Sequence, residues 1–173
     1  MTGPHLQLVL SGPGWASLKI EVGTEHHTID HISYLSDALG DLVRIGIDIA
    51  TDKGWSFAQF FHEPGSTILA AETGWWDDGQ WVRGARLSAF AGKEFGGESP
   101  TWRTLHESAR DFVVHMADRD ELASLFLGCA RDIFVRYGED GYSAKWTGEK
   151  RFPRRAVAAL EAALSTPASE LIR

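Results

Sequence analysis

A single cysteine, Cys129, leaves the sequence without the second thiol that an intrachain disulfide needs. No apolar run approaches the roughly 20 residues of a membrane-spanning helix. The opening stretch MTGPHLQLVLSGPG lacks the basic and apolar pattern of a secretory signal, being interrupted by Pro4, Gly12, Pro13 and Gly14. These absences together point to a cytoplasmic protein. Lysine is scarce, 5 residues against 12 arginines, as in proteins encoded by GC-rich bacterial genomes. Catalytic signatures are missing too. There is no Gly-x-Ser-x-Gly elbow, Walker loop, Rossmann glycine pattern, HExxH motif or zinc-knuckle spacing. Ser11-Gly12-Pro13-Gly14 reads as a turn, with no following helix start to cradle a phosphate. No catalytic residue, metal ligand or cofactor follows from the sequence.

What is present is acidity, unevenly spread. The 173 residues carry a formal charge of −7. Residues 1–117 hold 15 acids and 8 bases, whereas residues 118–173 hold 9 of each. An acidic body argues against nucleic acid, which requires a basic footprint. It suits a basic protein partner, where charge speeds association and selects among partners. The plainer reading is that the charge keeps a small protein soluble.

Patterning is clear along most of the chain. His5–Leu10 and Trp15–Val22 alternate as half-buried strands, and His26–Ile32 reads as a return strand. From His31 to Ala50, Asp37, Asp41, Arg44 and Asp48 share one helix face, with Leu39, Leu42, Val43, Gly46, Ile49 and Ala50 opposite. Ser33 and Ser36 are the candidate caps of this helix, and Gly46 would let it approach a sheet closely. Trp55–His62, Ser66–Gly74, Gln80–Phe90 and Ala109–Ala117 read as further strands. Asp77-Asp78-Gly79 is a hairpin turn and Gly92–Pro100 a loop. Asp118 and Glu121 form a capping-box pattern ahead of an apolar helical stripe that Gly138 stops. Glu139–Phe152 reads as a linker anchored by Tyr142 and Trp146, and Pro153 opens a last helix. The order predicts an α+β fold: two layers, an antiparallel sheet of six or seven strands, and three helices mainly on one face. One domain would span residues 1–165, with a fraying tail over 166–173.

Three groups of residues could carry chemistry. His26, His27, Asp30 and His31 cluster, but His27 and His31 in a regular strand lie roughly 13 Å apart, too far to share a metal. Trp75, Trp76 and Trp81 crowd the hairpin WWDDGQW, and at least one of the adjacent pair must face away from the core. An outward indole beside Asp77 and Asp78 suits a cationic side chain; cross-strand packing is the structural alternative. Lys145, Lys150, Arg151, Arg154 and Arg155 surround Trp146 and Phe152, either as an anion site or as partners for the chain's own acids.

SYLSDALGDL leading into a helix, the Asp-capped helix with Leu-x-x-Leu-Phe, and GYSAKW with FPRRAVAALEAAL resemble a group of small actinobacterial α+β proteins without defined catalytic residues. By analogy of size and acidity the chain also resembles immunity proteins of bacterial toxin systems. The expectation is a non-enzymatic, protein-binding protein, an immunity-type inhibitor of a basic toxin. Its contacts would be Asp37, Asp41, Asp48, Trp75, Trp76, Asp77, Asp78 and Trp81. A small-ligand or carbohydrate-binding module using the exposed tryptophans is the alternative. An enzyme assembled from His27, His106 or His115 with distant acids is a third reading.

Overall fold

Strand alternation in the first 33 residues translates directly into a three-stranded antiparallel sheet. The computed structural model describes residues 3–63, 65–91, 100–146 and 150–166. Strands β1 (His5–Gly12), β2 (Trp15–Val22) and β3 (Glu25–Ser33) pair in sequence order. Leu6, Leu8, Leu10, Ala16, Leu18 and Ile20 face the core, while Trp15, Lys19 and Glu21 stay on the wet face. Ile29 and Ile32 are three apart, a spacing that would put them on opposite faces of a regular strand. Both are buried, because Leu18 pairs with Ile29 and Ala16 with Ile32, leaving Asp30 and His31 opposite Ser17. His31 takes the left-handed φ of 56° that this bulge requires.

Helix α1 (Ala38–Ala50) follows, amphipathic as its spacing predicts. Asp37, not a serine, holds its N-cap position, and no side chain caps it. Ser36 is engaged elsewhere: its hydroxyl oxygen accepts the Phe61 N–H at 2.8 Å. Gly46 does permit a close approach, but to helices. A Cβ there would lie 2.8 Å from Leu160 and 2.9 Å from Phe126.

Strands β4 (Trp55–Phe61), β5 (Ser66–Asp77), β6 (Gln80–Ala91) and β7 (Phe112–Met116) form a second antiparallel sheet in that order. The single six- or seven-stranded sheet is therefore corrected: seven strands divide into three and four. The break falls where α1 intervenes between β3 and β4. A short helix α2 (Trp102–His106), unforeseen from the sequence, begins at Thr101, whose hydroxyl accepts the Thr104 N–H. It covers the outer face of the second sheet, packing Leu105 on Ile68, Ala70 and Phe90. The Gly92–Pro100 loop lies outside the described residues except Pro100, as does the 166–173 tail except Thr166.

Helix α3 (Arg119–Lys145) starts where Asp118 Oδ1 accepts the Glu121 N–H at 2.9 Å. Glu121 reaches one residue further back than a standard capping box, to the Ala117 N–H. Gly138 breaks the helix as its position predicts, with φ 64° and ψ −176°. The expected linker nevertheless begins with about two more helical turns, since the fully buried Tyr142 and Trp146 bind that segment into the core. Helix α4 (Arg154–Ser165) begins after Pro153 and packs on α1 and α3. One main core joins the inner faces of both sheets to α1, α3 and α4.

Candidate functional site

The residues singled out in the sequence separate into three environments. Along α1 the acidic stripe lies beside β4, the edge strand of the second sheet, and much of it is consumed there. Asp48 is 8% exposed; Lys53 and the Ser56 hydroxyl donate to it, and Arg44 lies 3.5 Å away. Arg44 also donates to the Phe57 carbonyl at 2.6 Å and to Asp41 at 3.3 Å. The cluster thereby blocks an open sheet edge, a structural task. Burial pushes the Asp41 carboxyl above its ordinary value, with Arg44 acting against the shift. Asp37 alone of the three acids is exposed.

The second environment is the tip of the β5–β6 hairpin. Asp78 and Gly79 both have positive φ, 44° and 78°, as a two-residue type I′ turn requires. Trp76 pairs with Trp81 across the hairpin, and their rings meet edge to face, 5.8 Å apart at 68°. They remain 54% and 53% exposed. Asp77 and Asp78 are exposed beside them and form no ion pair among the described residues. The Trp81 ring lies over Gly74, where any Cβ would collide with it. Beneath Trp81 an open groove of about 570 Å³ reaches Asp52, Arg83, Asp118 and Arg119.

Trp75 belongs to a third environment and is corrected from a surface contact to a buried one, at 6% exposure. The reason is a bulge. Counted from the turn, Glu72 would face Ala85. Instead Arg83 and Gly84 together oppose Gly74, the register shifts by one, and Glu72 faces Arg86. Arg86 Nε donates to Glu72 Oε2 at 2.6 Å, and both residues are 6% exposed. Trp102 Nε1 donates to Glu72 Oε1 at 3.2 Å. The Arg86 guanidinium lies 4.4 Å from the Trp75 ring, which stacks on His115. Sequence reading missed this assembly, although two charges inside the apolar runs STILAAETGWW and ARLSAF were its visible sign.

The histidines do not assemble with one another. His27 stacks on Phe112, His106 on Trp102 and His115 on Trp75. His31 stands at a bulge. No group of three or more potential metal ligands gathers among the described residues. Cys129 is buried, and that burial pushes its thiol up to about 12. In the basic cluster, Arg154 pairs with Glu139 at 2.7 Å and Lys145 lies over the Tyr137 ring. Comparison with protein-family models, curated proteins and solved structures gives no match for the chain.

Proposed function

We propose that the protein binds a basic protein partner through the β5–β6 hairpin, as an immunity-type inhibitor of a basic bacterial toxin acting in the cytoplasm. The observation that carries this reading is the pairing of two half-exposed indoles with two exposed carboxylates that form no ion pair among the described residues, at one projecting tip. Indole faces attract an arginine or lysine side chain, worth about 0.5–1 kcal/mol when exposed and about 2 or more once desolvated. Asp77 and Asp78 add charge complementarity, which acts mainly on association rate. The 68° tilt between the rings favours an inserted side chain over the flat stacking a sugar ring prefers. The binding set narrows to Trp76, Asp77, Asp78 and Trp81, with Asp37 and Asp41 as an outlying acidic surface. Asp48 and Trp75 are engaged internally.

The test is affinity capture from the source organism, identification of the captured protein, and direct measurement of its affinity. The expected partner is basic and binds less tightly as salt rises. Trp76→Ala should weaken binding about 30-fold, the effect of losing a 2 kcal/mol hot spot. Asp77→Lys with Asp78→Lys should lower mainly the association rate. A captured partner whose affinity ignores all three substitutions would remove the hairpin from the interface.

A further inference from the structure

The β5–β6 hairpin projects beyond both of its neighbours. Pairing with β4 ends at Trp55 and Glu72, and pairing with β7 ends at Met116 and Ala85. Residues 80–84 of β6 therefore have no strand beside them on the β7 side among the described residues. No turn or loop backbone of the described residues bonds to them there either. Such an edge is a template for a further strand. At β4 the open edge is blocked, because Arg44 donates to the Phe57 carbonyl. At the hairpin no side chain does this, and Gln80, Trp81 and Arg83 stand exposed. The alternation of β6 runs through the tip: Ala85, Leu87 and Ala89 face the main core, so Arg83 and Trp81 share their phase. Both line the groove of about 570 Å³ beneath the hairpin. Its other charges are engaged: Asp52 pairs with Arg119, and Asp118 caps α3. Arg83 forms no ion pair among the described residues.

We propose that the partner docks on this edge by adding an extended strand antiparallel to β6, continuing the line of β7. The inference rests on the hairpin reading and gives its partner a pattern. Read from its own N-terminal end, the added strand places one residue opposite Arg83 and, two residues later, another opposite Trp81. Both project toward the groove. An acid complements Arg83. A lysine or arginine complements Trp81, at the end of the hairpin that carries Asp77 and Asp78. The docking segment is thus acid-x-base, with an apolar residue between them beside Val82. Main-chain hydrogen bonds supply the attachment, and the two charged side chains supply the selection.

Amide chemical shifts of the full chain, titrated with end-blocked synthetic peptides, test this. The peptide Thr-Thr-Glu-Val-Lys-Thr-Thr should bind about fivefold more tightly than Thr-Thr-Lys-Val-Lys-Thr-Thr. Non-specific attraction to a chain of charge −7 would rank them the other way. Arg83→Glu should invert the order. Shifts should centre on residues 80–84, where alternate amides gain protection from hydrogen exchange. N-methylation of the Glu-Lys peptide at alternate residues should lower affinity at least tenfold in one phase and spare it in the other, because only one set of its amides faces β6. No binding at millimolar peptide, equal loss in both methylation phases, or an order that Arg83→Glu leaves unchanged would each overturn the proposal. The methylated peptides use the unaltered protein and decide the matter even if Arg83→Glu fails to fold. If strand addition fails while Trp76→Ala still weakens the captured partner, the hairpin reading stands and this inference alone falls. A captured partner indifferent to Trp76→Ala, Asp77→Lys and Asp78→Lys removes both.

Discussion

The two sheets obey different rules. In the first, one face is wet, so polar side chains such as Lys19 and Glu21 stay in water and need no partner. In the second, α2 and the residues around it cover the outer face, so Ser66 to Ala71 is buried without interruption. Polar groups on that covered face must find partners within the protein. Glu72, Arg86 and Trp102 do so with one another. A bulge in the first sheet merely restores the inward direction of Ile32, whereas the bulge in the second chooses which residue faces a buried carboxylate. Covering a second face thus turns a local irregularity into a determinant of charge pairing.

The sharpest way to break the comparison is to remove one buried charge. Glu72→Ala should destabilise the protein by about 3–5 kcal/mol in urea unfolding, because Arg86 is left buried and unpaired. Glu21→Ala on the wet face of the first sheet should stay within about 0.5 kcal/mol of the parent. Replacing the pair together, as Glu72→Leu with Arg86→Met, should recover most of the loss.

The bulges offer the next contrast. Gly74→Ala, at φ 88° and beneath the Trp81 ring, should cost about 1–3 kcal/mol and change Trp81 fluorescence. His31→Gly, at the exposed bulge with φ 56°, should remain within about 1 kcal/mol of the parent in the same assay.

Beneath the first sheet, α3 buries Cys129 against β1. The folded thiol keeps its proton up to about 12, while the unfolded thiol loses it near the ordinary 9.0. The folded state therefore binds more protons in that window, and stability falls as pH rises from about 9 toward 12. The slope should approach about 1.4 kcal/mol per pH unit from this group. Tyr142, also raised by burial, steepens the loss above its ordinary 10.0. Denaturant unfolding of Cys129→Ala should be nearly flat between pH 9 and 10.

The smallest effect belongs at the hairpin tip, which neither core supports. Trp76→Ala should lower stability by no more than about 1 kcal/mol, the value of one cross-strand pair. Folding and partner binding are thereby separable, since the same substitution carries the largest expected loss of affinity.

The site was only partly legible in the sequence. Asp78-Gly79 marks its turn with residues that tolerate positive φ, so the Trp76–Trp81 pair follows from counting outward. Counting fails two residues beyond Trp76, at Gly74. Asp48 sits on a polar helix stripe and reads as solvated, yet Lys53, Ser56 and Arg44 converge on it from outside its own helical turn. By alternation Trp75 shares the inward phase of Leu69 and Ala71, but the bulge at Gly74 turns it to the outer face, where His115 and Arg86 from neighbouring strands cover it.

The sequence by itself determined the elements: the alternating strands of the first sheet, the stripe of α1, the Asp118 cap, the break at Gly138 and the start after Pro153. These depend on side-chain period and on backbone preferences within a few residues, which are local. Tertiary structure alone decided that seven strands split into two sheets, that α2 covers one of them, and that Glu72 meets Arg86. Those outcomes rest on register and on packing between distant segments. A one-residue shift in register changes every pairing beyond it while leaving each strand's own pattern intact.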